Sequence, residues 1–139
     1  MDLAKAWLIA LAIYLAGSIT TAMVAVASGM DVDDFTGTGA EVVWSAIPAL
    51  LIYLLMTLLV AITHGEPHRD VPARHVLAVL LPPALLIVAG IAYSLVQGSS
   101  VAGIAAGALA GLAGSAAGWW LSGRLRSRST TARTSGGYF

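Results

Sequence analysis

Long apolar runs dominate the chain and short polar stretches separate them. The runs cover about residues 4–27, 42–63, 76–96 and 101–121. Each has the length of about 20 residues that a helix needs to cross the hydrocarbon core of a bilayer. None carries Asp, Glu, Lys or Arg in its interior. The runs are continuous and lack the two-residue alternation of barrel strands. A helix satisfies its own backbone where no water is present. The pattern therefore predicts an all-α, polytopic membrane protein. Residues 1–121 form a four-transmembrane-helix bundle, and residues 122–139 form a basic, flexible cytoplasmic tail. The third connection, Gln97-Gly98-Ser99-Ser100, is so short that spans three and four are expected to pair as an antiparallel hairpin.

Composition sharpens this picture. Of 139 residues, 58% are apolar and 10% charged, where a soluble domain carries about 25% charged residues. That excludes a disordered chain and argues against a water-soluble one. The absence of cysteine excludes disulfides, thiolate metal sites, iron–sulfur clusters and a cysteine nucleophile. The first run, with Lys5 before it and Ala25-Val26-Ala27 at its end, has the outline of a secretory signal. Its apolar core is long for one, so a retained span is expected.

The seven basic and seven acidic residues cancel to a net charge of zero. This gives no support to a nucleic-acid partner. Sorted along the chain, the charges separate. Lys5, Arg69, Arg74 and the arginines of the tail (Arg124, Arg126, Arg128 and Arg133) all fall on one side of a four-span topology. Asp31, Asp33, Asp34 and Glu41 fall on the other. With Asp2, Glu66 and Asp70 included, the basic side carries about +4 and the opposite side about −4. Basic residues mark the cytoplasmic side, so both termini are expected there. Trp7, Trp119 and Trp120 lie at the level of the inner interface and Trp44 at the outer one. The preference for Arg over Lys, with abundant Ala and Gly, suggests a GC-rich bacterial genome and hence the plasma (inner) membrane.

Within the spans, the fourth carries the clearest pattern. Gly103, Gly107, Gly111, Gly114 and Gly118 fall within an arc of roughly 80° on a helix, with Ser100 and Ala110 on or beside it. Small-xxx-small faces let helices approach closely in lipid. The occupant is expected to be another span of the bundle, or else a helix of a second copy or of a larger complex. Substituting Gly111 by Leu should disrupt whichever contact forms. The second span offers no glycine counterpart to this stripe, so no internal repeat is evident. Span one has a polar stripe of Tyr14, Gly17, Thr21 and Ser28, with Thr20 adjacent. It suits interhelical hydrogen bonds, or the lining of a narrow polar path. Proline falls at Pro48 and at Pro82-Pro83, with a kink expected near Leu81. On span three, Pro83, Gly90, Ser94 and Gln97 share a face that should point into the bundle.

The second connection holds every histidine of the chain. His64, His68 and His75, with Glu66 and Asp70, are weak candidates for a metal site. Pro67 and Pro72 break helical spacing, and Arg69 and Arg74 would repel a cation. A solvated loop at anionic headgroups is the simpler reading. A haem held by His64 and His75 is disfavoured by their interfacial level. The acidic first connection lacks the spacing of an EF-hand. Tyr138-Phe139 ends the chain in a possible docking motif.

No Asp, Glu, Lys, Arg or His lies at membrane depth, which argues against proton relays and ion-coupled carriers. No nucleophile-elbow motif is present. The sequence alone thus points to a non-enzymatic accessory or assembly subunit without a cofactor. It would pack in the lipid bilayer against a larger membrane complex, or against itself, through the fourth helix. A small oligomeric channel or transporter is the alternative.

Overall fold

The structure, a computed structural model, describes residues 3–29, 38–63 and 72–134. The described residues form four helices, α1 (Leu3–Ala27), α2 (Thr38–Thr63), α3 (Pro72–Val96) and α4 (Val101–Thr134). All four are long and apolar enough to span a membrane. The protein is an all-α, multi-pass membrane bundle.

The ends of the helices follow from local chemistry. At the close of α3, Gly98 adopts φ 73°. Its N–H donates to the Leu95 carbonyl at 3.3 Å, and the Ser99 N–H donates to the Ser94 carbonyl at 3.0 Å. This is the Schellman arrangement, which favours glycine at the left-handed position. Two residues later the Ser100 hydroxyl accepts from the Gly103 N–H at 3.0 Å and caps α4. A C-cap joined directly to an N-cap lets four residues reverse the chain. Pro72 opens α3, where its missing N–H costs nothing. Pro82 and Pro83 are buried within α3, which is continuously helical through them.

The closest pairing is between α2 and α4, helices that run in the same direction and are separated in sequence by the whole of α3. Gly103 meets Glu41, Gly107 meets Ser45, Gly114 meets Leu50 and Leu54, and Gly118 meets Leu54 and Leu58. The register is kept over four turns. The α3–α4 turn therefore works mainly to return α4 to α2, and α3 flanks both.

Where Lys5, Thr63, Val76 and Leu125 gather, here called the terminal end, an apolar core forms. It comprises Ala6, Ala10, Tyr53, Met56, Val60, Ala61, Ala78 and Val79. Ala6 and Ala10 have no exposed surface, because their small side chains let α1 sit close there. Toward the opposite, turn end, α1 loosens. Ile19, Met23 and Val26 are 59%, 66% and 78% exposed. Only 6% of the α1 span is buried, against 28% in each of the other three.

Past Ser122, where the tail begins, α4 stays helical through Thr134. Between Gly123 and Gly136 the chain has neither glycine nor proline, and Arg, Leu and Ala are good helix formers.

Candidate functional site: a cavity at the turn end

At the turn end the four helices line a partly open cavity of about 190 Å³. It begins with the ties between α2 and α4. Glu41, in the first turn of α2, accepts a hydrogen bond from the Ser100 N–H at 2.8 Å. The carboxylate thus lies at the N-terminus of α4 while standing at that of its own helix, and both dipoles favour it there. One turn deeper, the Ser45 hydroxyl reaches the carbonyls of Val42 and Gly103, each at 3.1 Å. A Cβ on Gly103 would lie 2.7 Å from Glu41 Oε1, so the carboxylate would have to shift to admit a side chain.

Below these ties the wall is shared. Tyr14 comes from α1, Ser45, Ala49 and Tyr53 from α2, Gly90 and Ser94 from α3, and Gly103 and Gly107 from α4. Tyr14 and Tyr53 meet edge to face at 6.2 Å between ring centroids. Tyr53 belongs to both the cavity wall and the apolar core, so the cavity ends on that core. Ser94 and Gly103 lie within a turn of their helix ends, whereas Tyr14 and Tyr53 lie near mid-helix. At about 1.5 Å per residue, the cavity runs from near the turn end to mid-depth.

Gly103, Gly107, Gly111, Gly114 and Gly118 of α4 are brought together as one contact surface, and α2 of the same chain occupies it. Gly111 lies against Tyr53 and Ile87. A Cβ on Gly114 would collide with the Leu50 carbonyl, and one on Gly118 would lie 2.6 Å from that of Leu54. The glycine face is therefore closed to a helix from another chain while α2 holds this position.

The polar stripe of α1 is divided. Tyr14 lines the cavity and Gly17 packs on Ile52. Thr21 donates to the Gly17 carbonyl at 2.9 Å and Ser28 to the Val24 carbonyl at 2.7 Å. Thr20 donates in the same way to Ala16. These hydroxyls are satisfied four residues back within α1 and make no interhelical bond. On α3, Pro83 is buried and Gly90 and Ser94 line the cavity. Gln97 instead lies exposed and donates to the Tyr93 hydroxyl at 2.8 Å.

His64, Glu66, His68 and Asp70 lie outside the described residues, as does the side chain of His75. Among the described residues no group of His, Asp or Glu is placed to hold a metal. Asp31, Asp33, Asp34 and Tyr138-Phe139 also lie outside them.

The side of α2 that meets these glycines does not stand out in the sequence. Glu41, Ser45, Tyr53 and Thr57 recur on a four-residue ridge, and each faces a glycine of α4. This ridge is the counterpart that the glycine stripe lacked, an i±4 row packed into an i±4 groove. The signal was present as spacing, but its members are chemically unlike one another. Comparison of the chain with protein-family models, with curated proteins and with solved structures gives no match.

Proposed function

We propose that this multi-pass protein is a non-enzymatic accessory subunit of the plasma membrane of a GC-rich bacterium. Both termini face the cytoplasm, and the chain packs beside a larger membrane complex or a second copy of itself. The observation that carries this reading is the asymmetry of packing. Helices α2 and α4 grip each other along their length, whereas α1 has its buried residues, Ala6 and Ala10, at the terminal end, meets α2 at mid-helix through Tyr14 and Gly17, and leaves Ile19, Met23 and Val26 exposed. With α2 on the glycine face of α4, the surface for a partner passes from the fourth helix to the first. The groove between α1 and α2, lined by Gly17, Thr21, Trp44 and Leu51, offers small residues beside large ones, as helix contacts in lipid use.

The chain has no cysteine, so Met23→Cys would be the single thiol of the protein. In native membranes, a thiol crosslinker should join this variant to one defined species. Purification in mild detergent should give the same species by mass. A monomer in detergent, with no crosslink from Met23→Cys, would overturn the accessory reading.

The second reading, a small oligomeric channel or transporter, draws on the cavity. Because that cavity ends on the core at Tyr53, conduction would need a path between chains. Solute flux from liposomes carrying a defined homo-oligomer would favour it.

A further inference from the structure

We propose that the turn-end cavity is a binding site for a compact, uncharged molecule that joins a small apolar body to one hydrogen-bonding group. Phenol is the simplest representative of this class. The inference stands apart from the accessory reading and draws on different residues.

Three observations meet here. The first is size. An apolar cavity of about 150 Å³ accepts benzene. One of about 190 Å³ has room for roughly six to eight non-hydrogen atoms on that scale. The second is the chemistry of the wall. Tyr14, Tyr53, Ile87, Ile91, Ile104 and Ala108 supply apolar and aromatic surface. Among the described residues no Asp, Glu, Lys, Arg or His lines the cavity, so its described wall offers no charge to compensate a charged ligand at membrane depth. The third is unspent hydrogen-bonding capacity. Among the described residues, the hydroxyls of Tyr14, Tyr53 and Ser94 make no hydrogen bond within the chain. Serines and threonines elsewhere in these helices, Thr20, Thr21, Ser28, Thr63 and Ser115 among them, donate to a carbonyl four residues back. Ser94 does not. A pocket with a few polar groups set in an apolar wall is the usual form of a small-molecule site.

Gly90 allows the proposal to be tested without breaking the fold. It lines the cavity, its φ lies outside the left-handed region, and a Cβ there would meet nothing within 4 Å. A leucine at this position would fill the space a ligand needs. The experiment is a fluorine NMR titration of the purified full chain in detergent micelles with 3-fluorophenol, with protein-free micelles as reference. Fluorobenzene serves as the probe without a hydrogen-bonding group.

Saturable binding of 3-fluorophenol is expected in the native protein. Tyr53→Phe should weaken it roughly three- to ten-fold, the loss of one neutral hydrogen bond, and Gly90→Leu should abolish it. Circular dichroism should show Gly90→Leu as helical as the native chain, and Gly90→Ala provides a smaller filling step if it is not. A signal that only partitions into the micelle overturns the proposal. Saturable binding that persists in both Gly90 variants also overturns it. Equal affinity for fluorobenzene overturns the assignment of a hydrogen-bonding ligand.

Discussion

A methyl group added at Gly114 and one added at Gly90 would have opposite effects, although both residues lie within helices. At Gly114 the new carbon would strike the backbone carbonyl of Leu50, which cannot move aside. Gly114→Ala should therefore push α2 from α4 and cost about 1–3 kcal/mol, the range for overpacking. At Gly90 the same carbon meets open space. Gly90→Ala should be neutral or stabilising by up to about 1 kcal/mol through helix propensity. Thermal unfolding in detergent, followed by circular dichroism, would separate the two. Thr57 makes a related case. Its side chain is wholly buried and its hydroxyl lacks a hydrogen-bond partner. Such a group costs about 1–3 kcal/mol relative to a satisfied one. Thr57→Val keeps the shape and removes the orphan, so it should raise the unfolding temperature. A lower temperature would show that the hydroxyl has a partner in the membrane.

At the scale of elements, the α2–α4 pair rests on a polar tie at one end and on glycine contacts along its length. Glu41→Ala should remove the bond to the Ser100 N–H and cost about 1–2 kcal/mol, as loss of a cap does. Glu41→Gln keeps an acceptor oxygen and should cost less. Because a Cβ on Gly103 would displace the Glu41 carboxylate, Gly103→Ala and Glu41→Ala should be strongly non-additive in a double-mutant cycle. The four spans were legible because apolar length alone marks a membrane helix. The glycine stripe was legible because glycine is conspicuous in a helix. Its partner was not, since Glu41, Ser45, Tyr53 and Thr57 share position but no chemistry. Tyr14 could be singled out as polar, but not separated from Thr21, whose hydroxyl bonds back to Gly17. That distinction depends on which face α2 and α3 cover, and helix pairing is not written in either helix separately.

For the molecule as a whole, the charge pattern makes a topological prediction. In intact cells a membrane-impermeant maleimide should label Gln97→Cys at the exposed α3–α4 turn. It should label Ser129→Cys only after permeabilisation. The chain's lack of native cysteine makes each variant a single reporter. The reverse pattern would invert the orientation. The cavity was not foreseen in the sequence, because its wall takes one to four residues from each of four helices. No single span contains enough of it to stand out.

The pairing of α2 with α4 also imposes a timetable. A ribosome delivers α2 into the bilayer well before its principal partner has been synthesised. Through that interval α3 must cross the membrane while the Glu41–Thr57 ridge of α2 has no glycine groove to enter. The nascent chain then exposes a carboxylate and an unsatisfied hydroxyl that the finished protein covers. Only when α4 arrives and slides alongside α2 does the bundle close. The bundle therefore closes only with α4, and a chain interrupted after α3 would lack the α2–α4 contact altogether.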